Sequence, residues 1–187
     1  MTRILGISGS LRRDSHNTTL LRAAAEAAGP DIELELYDGL KEIPPYDEDD
    51  DVHLRPASVA GLASAIADAD AVLFATPEYN ASIPGQLKNA IDWVSRPVAT
   101  NVLRNKPVAV VGASTGAFGA VWAQAELRKV LAALGARVVD LELPVPHAHT
   151  RIDEGGLTDD EIRAGLADAV EALASEARQR ERVKVVA

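Results

Sequence analysis

Three serines and an arginine stand close together near the N-terminus, between an apolar run and a helical pattern. Ser8, Ser10 and Ser15 can donate hydroxyl hydrogens, and the planar guanidinium of Arg12 matches the oxygens of a phosphate group. The backbone N–H groups and the dipole of a helix N-terminus also attract an anion. The segment matches neither the Walker A pattern nor the G-x-G-x-x-G dinucleotide fingerprint. We therefore predict a phosphate site of another kind.

Two further loops have an unusual composition. Pro77 and Pro84 enclose a polar stretch, and because proline fixes φ and restrains the residue before it, we expect an extended segment whose backbone polar groups are held still. Such a segment suits the edge of a planar heterocycle. Residues 112–119 are mostly small and let a ligand approach the backbone closely. The three loops together predict a mononucleotide site with a flat base.

The elements that must position these loops alternate along the chain. Strand-like apolar runs lie near residues 3–8, 31–37, 70–76, 107–113 and 137–143. Helical patterns lie near residues 17–28, 55–68, 85–94, 119–134 and 158–181, the last with a capping-box spacing between Thr158 and Glu161. This alternation predicts a parallel sheet with helices on both faces, in which the second strand lies at an edge. Loops after the strands then meet at one edge, where ligands bind.

Composition limits the class of protein. The chain has 187 residues, a net charge of −9 and no cysteine, so we expect a single domain over residues 1–187 without thiol or disulfide chemistry. The acidic balance argues against nucleic acid and against anionic membranes as partners. We find no signal peptide and no membrane-spanning run, and we expect a cytoplasmic location.

The loop sequences carry a resemblance. GSLRRDSHN at 9–17, PEYNASIPGQLKNAIDWVSR at 77–96 and GASTGAFGA at 112–120 resemble the NADPH-dependent FMN reductase family, a flavodoxin-like group with quinone, azo-dye and chromate reductases. The resemblance implies a flavodoxin-like fold: a doubly wound five-stranded parallel sheet of strand order 2-1-3-4-5. It also implies bound FMN and a homodimer or homotetramer.

The resemblance further implies site residues. The FMN phosphate and ribityl end would be held by Ser8, Ser10, Arg12, Ser15 and Asn17. The isoalloxazine would lie, largely against backbone atoms, beside Pro77, Glu78, Tyr79 and Asn80, with Ser82 nearby. Its pyrimidine side would be bordered by Ser114, Thr115 and Gly116. Ala81 and Ala120 depart from residues common in the family, and we expect both departures to matter little, because alanine at 120 propagates a helix better than glycine.

The activity that this resemblance implies is that of an FMN-dependent oxidoreductase. NAD(P)H would pass hydride to the flavin, and a quinone, azo compound, free flavin or metal oxyanion such as chromate would then accept it in ping-pong order. The flavin carries the chemistry, so we expect no catalytic side chain. Two alternatives stay open: a flavodoxin-type electron carrier without its own NAD(P)H turnover, and a flavin-free scaffold.

Several residues outside the loops also suggest roles. The helical pattern turns Leu87, Ala90 and Ile91 toward the sheet and Trp93 to another side, so we expect Trp93 to anchor a subunit interface. We expect the acidic run at 47–51 to be a solvated loop. His147 and His149 lack a third ligand, and we predict no metal site.

Overall fold

A computed structural model describes residues 1–51 and 55–186, with side chains described as far as residue 180. The main sheet has the strand order β2-β1-β3-β4-β5, and these neighbours pair in parallel. The strands are β1 (Thr2–Ser8), β2 (Ile32–Tyr37), β3 (Ala71–Ala75), β4 (Pro107–Ala113) and β5 (Arg137–Val138). The predicted flavodoxin-like topology is therefore confirmed, including the edge position of the second strand.

Helices separate these strands on both faces of the sheet. They are α1 (His16–Ala27), α2 (Ala57–Asp68), α3 (Gly85–Val94), α4 (Val121–Ala133) and α5 (Asp160–Val186). One buried cluster joins the sheet to α1 and α5, and a second joins its other face to α2, α3 and α4. Among the described residues, no helix combines the length and the apolar character that a membrane crossing requires.

The fifth strand is shorter than the sequence predicted. Its ladder ends at Val138, and Leu141 N–H donates to the carbonyl of Val139 at 2.9 Å, which turns the chain away from regular pairing. The chain pairs with the end of β4 again through β6 (Pro144–Val145). A small hairpin of β7 (Ile152–Asp153) and β8 (Gly156–Leu157) then precedes α5. The prediction that the fifth strand continues to residue 143 is therefore wrong.

The start of α5 also differs from the prediction. Asp159 Oδ1 accepts the N–H groups of Glu161 and Ile162 at 3.0 and 3.1 Å, so Asp159 caps the helix. The Thr158 hydroxyl instead donates to the carbonyl of Arg151. The predicted capping box is wrong because Thr158 bonds to the carbonyl of Arg151, just before the hairpin.

The position of Trp93 contradicts the sequence-based expectation. Its side chain is fully buried, because the loop after β2 packs over that side of α3. Trp93 Nε1–H donates to the carbonyl of Pro44 at 2.8 Å, and the Tyr46 ring meets the indole edge-on at 5.0 Å. Asn89 holds the same loop by bonding Pro44 and Tyr46. Trp93 is therefore a core residue of the subunit.

Candidate functional site

A cavity of about 260 Å³ lies at the carboxyl edge of the sheet, where the three predicted loops meet. It is lined by Ser10, Arg12, Ser15, His16, Asn17, Pro77, Glu78, Tyr79, Ala113, Ser114 and Thr115. The remaining predicted residues, Ser8, Asn80, Ser82 and Gly116, lie in the same loops outside this lining. A larger cavity of about 610 Å³ near Thr2, Asp31 and Asp70 lies where strands begin, and none of the predicted site residues line it.

Serine hydroxyls shape the first loop. Ser15 is the N-cap of α1, and its Oγ accepts the N–H of Thr18 at 3.3 Å. Ser10 Oγ accepts the N–H of Arg12 at 3.4 Å. Ser8 Oγ accepts the Thr18 hydroxyl at 2.9 Å. Ser8 therefore connects the end of β1 to the first turn of α1.

Anion-binding groups are free at the same place. The backbone N–H groups of His16 and Asn17, in the first turn of α1, have no hydrogen-bond partner among the described residues. The exposed Arg12 side chain lines the cavity beside them. Two unpaired N–H groups at a helix N-terminus, a guanidinium and nearby hydroxyls are the donor set that a phosphate ester requires. The residues present therefore fit the phosphate of FMN.

The Asn17 side chain serves the protein itself. It is buried, its Nδ2 donates to the carbonyl of Ala113 at 3.1 Å, and its Oδ1 accepts the N–H of Ala113 at 2.9 Å. This pair of bonds ties the start of α1 to the end of β4. Asn17 therefore sets the distance between the first and third loops, and only its backbone N–H is free for a ligand.

The second loop contains a tight turn. Tyr79 and Ser82 exchange two backbone hydrogen bonds at 2.9 and 3.1 Å, around Asn80 and Ala81 with φ of +53° and +59°. Positive φ at both central residues is the pattern of a type I′ turn. The expected extended segment is therefore wrong, because asparagine tolerates the left-handed region and starts the turn. Ala81 adopts the same region without that advantage.

Glu78 links the second loop to α4. Its Oε2 accepts the N–H groups of Trp122 and Ala123 at 3.0 and 3.1 Å, so this carboxylate occupies the N-terminus of the helix. Ala120 precedes the helix with φ of +61°. The expectation that alanine here propagates the helix is wrong, since the residue lies before the helix in a conformation that favours glycine.

Backbone hydrogen bonds connect the third loop to the segment that follows β6. Ser114 and Gly116 accept the backbone N–H groups of Ala148 and His147, each at 3.0 Å. Gly119 has φ of +58°, and a Cβ there would lie 2.5 Å from the Val145 nitrogen, so only glycine fits. These contacts fix the loop backbone beside the cavity.

His16 lines the cavity, and like Ala113 it was not among the predicted site residues. Burial, and then the positive charges of Arg12 and His149, lower its pKa. The sequence could have indicated this role, because a histidine can carry a positive charge and His16 lies between two residues already predicted to bind the anion. His147 and His149 have ring centroids 6.4 Å apart. The described residues contain no group of three or more side chains arranged to hold a metal ion.

The fold is flavodoxin-like, and its carboxyl-edge cavity presents donors suited to a phosphate ester beside two backbone-rich loops. The sequence profile of the family described as NADPH-dependent FMN reductase matches residues 2–150. This chain belongs to that family. The predicted class of FMN-dependent oxidoreductase, with a nicotinamide as electron donor, is thereby confirmed.

Individual relatives agree with this assignment. The chain is 42% identical over 173 residues to an NAD(P)H-dependent FMN reductase of Pseudomonas aeruginosa, covering 91% of this chain and 92% of that one. It is 39% identical over 180 residues to a 2-hydroxy-1,4-benzoquinone reductase of a Burkholderia species, covering 95% and 97%. The solved structure of FerB, a flavoenzyme NAD(P)H:(acceptor) oxidoreductase from Paracoccus denitrificans, superposes with a TM-score of 0.85 at 34% identity, covering 96% and 98%. These relatives give no support to the electron-carrier alternative.

Proposed function

We propose that this protein binds FMN in the cavity at the carboxyl edge of the sheet and uses NAD(P)H to reduce quinones. The observation that carries the proposal is the pair of free N–H groups of His16 and Asn17 beside Arg12. FMN, when bound, supplies the hydride-accepting and hydride-donating ring. The names of the benzoquinone and quinone reductase relatives support the acceptor class.

The phosphate end of FMN would be held by the first loop. His16 and Asn17 would donate their N–H groups, and the Arg12 guanidinium would donate to the remaining phosphate oxygens. Ser10 and Ser15 line the same cavity and would donate their hydroxyl hydrogens. In a chain of net charge −9, this local cluster of donors offsets the general repulsion of an anion.

The isoalloxazine would lie between the second and third loops. Pro77 and Tyr79 of the second loop and Ser114 and Thr115 of the third loop all line the cavity. Because both loops are fixed by backbone hydrogen bonds, their polar groups need little reorganisation when negative charge develops on the reduced ring. No side chain of the chain is required as an acid or base for hydride transfer.

The donor and the acceptor would use one exposed face in turn, which gives ping-pong kinetics. Azo compounds, free flavin and metal oxyanions such as chromate are further candidate acceptors, because a shared open face selects weakly among them. A homodimer or homotetramer stays part of the proposal on the basis of the sequence resemblance, and light scattering tests it. A cytoplasmic location is proposed because reduced nicotinamides are supplied there.

The test compares FMN with riboflavin, which lacks the phosphate. Arg12→Ala removes a charge-assisted hydrogen bond, so the Kd for FMN should rise about 10–150-fold while that for riboflavin stays within about 2-fold. Arg104→Ala is the control, because Arg104 is also exposed but lies before β4, away from the residues that line the cavity. Flavin fluorescence titration measures both constants. Equal affinity of the unmodified protein for riboflavin and FMN would contradict the assignment of this loop.

The same preparations test the order of reaction. Double-reciprocal plots of initial rate at several quinone concentrations should be parallel, and reduced enzyme should form before quinone is added. Intersecting lines would indicate a ternary complex with separate donor and acceptor sites.

A further inference from the structure

Aromatic side chains are exposed at the carboxyl edge of the sheet. Tyr79, Phe118 and Trp122 are 51%, 62% and 48% exposed. The rings of Phe118 and Trp122 contact each other, with centroids 4.9 Å apart and planes inclined by 60°. Large apolar side chains that cluster on a surface indicate a binding site, since their exposure to water is unfavourable.

This aromatic pair lies beside the proposed flavin cavity. Tyr79 lines the cavity itself. Phe118 follows the lining residue Thr115 by three positions in the third loop. Trp122 donates its backbone N–H to Glu78, which also lines the cavity. The backbones of both residues are therefore adjacent to residues that line the cavity.

The carboxylate of Glu78 holds the backbone of Trp122. It accepts two N–H groups of the first turn of α4, at 3.0 and 3.1 Å, where the helix dipole also favours a negative charge. Trp122 is one of the two donors, so its backbone is tied directly to the loop that borders the cavity. The side chain of Glu78 is thus committed to α4.

We propose that Phe118 and Trp122 form a platform on which a planar aromatic acceptor stacks as it enters the site, and that Glu78 is the positioning residue for this platform. This inference rests on the proposed function. An electron-poor quinone ring stacks favourably on the electron-rich face of an indole. The platform therefore selects aromatic acceptors over compact anions.

The kinetic test uses 1,4-naphthoquinone and ferricyanide as acceptors with the FMN-loaded protein. Trp122→Ala should raise the KM for 1,4-naphthoquinone about 3–10-fold, the loss expected for one stacked ring pair. The KM for ferricyanide should change less than about 2-fold, because this compact anion has no flat ring. Trp122→Phe should restore most of the quinone KM. Val98→Ala, at a residue that is 50% exposed elsewhere, is the matched control and should leave both constants unchanged.

A double-mutant cycle between Glu78 and Trp122 tests the role of Glu78. Glu78→Ala should raise the quinone KM, and Glu78→Gln should raise it less, because an amide oxygen still accepts N–H bonds. If Glu78 acts through Trp122, the double variant Glu78→Ala with Trp122→Ala should be no worse than the poorer single variant. Additive effects would overturn the positioning role.

Direct binding gives a readout without turnover. The chain has two tryptophans, and the indole N–H of Trp93 is buried and bonded to Pro44. In an NMR titration with 1,4-naphthoquinone, the Trp122 indole signal should shift saturably while the Trp93 signal stays in place. Equal shifts of both signals, or of neither, would overturn the platform.

Two other outcomes have distinct meanings. If Trp122→Ala lowers the mass measured by light scattering and affects both acceptors equally, the aromatic pair is a contact between two copies of this chain, and the platform is overturned. Failure of the unmodified protein to bind FMN or oxidise NAD(P)H would instead contradict the proposed function, and the NMR titration would still decide whether a quinone binds at Trp122.

Discussion

Polar residues at the carboxyl edge of the sheet divide into two groups. Asn17 and Glu78 bond to the protein through their side chains and connect one loop to another. Arg12 and His16 line the cavity with charged or titratable groups that are open to a ligand. The first group fixes the relative positions of the loops, because the Asn17 bonds tie the first loop to the third and the Glu78 bonds tie the second loop to α4.

Replacement of Asn17 should destabilise the whole protein. Asn17→Ala leaves the buried N–H and carbonyl of Ala113 without partners, so the free energy of unfolding should fall by about 2–5 kcal/mol. Thr19→Ala is the control, since its hydroxyl donates one bond, to the carbonyl of Ser15, and its loss should cost about 1 kcal/mol or less. Urea unfolding measures both. A loss of FMN affinity with unchanged stability would show that Asn17 acts on the ligand alone.

The titration of His16 predicts a pH dependence. Burial, Arg12 and His149 lower its pKa below the ordinary value of about 6.5. The folded protein then binds fewer protons than the unfolded chain between the two pKa values. Stability is therefore fully present above about pH 6.5 and falls as the pH decreases below it. His16→Asn should lose less stability on acidification than the unmodified protein.

NMR titration of the His16 ring gives the corresponding local measurement. Arg12→Ala should raise the pKa of His16, because the guanidinium lowers it. Bound FMN should also raise this pKa, because a phosphate dianion favours the charged imidazolium. If the His16→Asn variant follows the unmodified protein at every pH, the histidine has no part in acid stability.

At the scale of elements, backbone conformation decides the shape of the site. The second loop turns tightly at Asn80 and Ala81, and α4 begins after Ala120 in the left-handed region. Both departures from the expected geometry involve alanine with positive φ. Local strain of this kind persists because surrounding hydrogen bonds hold it, here the two bonds between Tyr79 and Ser82.

Glycine at position 81 should relieve this strain. Ala81→Gly should leave the free energy of unfolding unchanged or raise it by up to about 1 kcal/mol, because relief of the left-handed conformation offsets the greater entropy of the unfolded chain. Ala60→Gly in α2 is the matched control, since Ala60 is also exposed but helical, and it should lose about 1 kcal/mol. Thermal unfolding measures the pair. Equal losses would show that the turn is not strained.

At the scale of the whole molecule, two buried clusters enclose the sheet, and the loop after β2 extends one of them over α3. This coverage changes the expected role of Trp93 from subunit contact to core packing. The predicted homodimer or homotetramer therefore requires contacts other than Trp93.

Trp93→Ala should unfold the subunit more easily without separating subunits. Removal of a fully buried indole costs about 3–5 kcal/mol, and the carbonyl of Pro44 loses its donor. Trp93→Phe, which keeps a ring, should lose less. Urea unfolding and light scattering at micromolar concentration distinguish the two roles. A stable, folded monomer obtained from an oligomeric parent would support the earlier role as an interface anchor.

The sequence by itself predicted the alternation of strands and helices, the edge at which the loops meet and a phosphate site in the first loop, and its resemblance to a known family supplied the strand order. Hydrophobic periodicity and the GSLRRDSHN segment are local signals, and parallel topology brings the ends of successive strands together. Only the tertiary structure decided what Asn17, Glu78 and Trp93 do. Asn17 bonds to Ala113, which is 96 residues away along the chain. Glu78 bonds to the first turn of α4, 44 to 45 residues away, and Trp93 bonds to Pro44, 49 residues away. Pairing over such separations depends on how the elements pack, so neither residue type nor spacing encodes it.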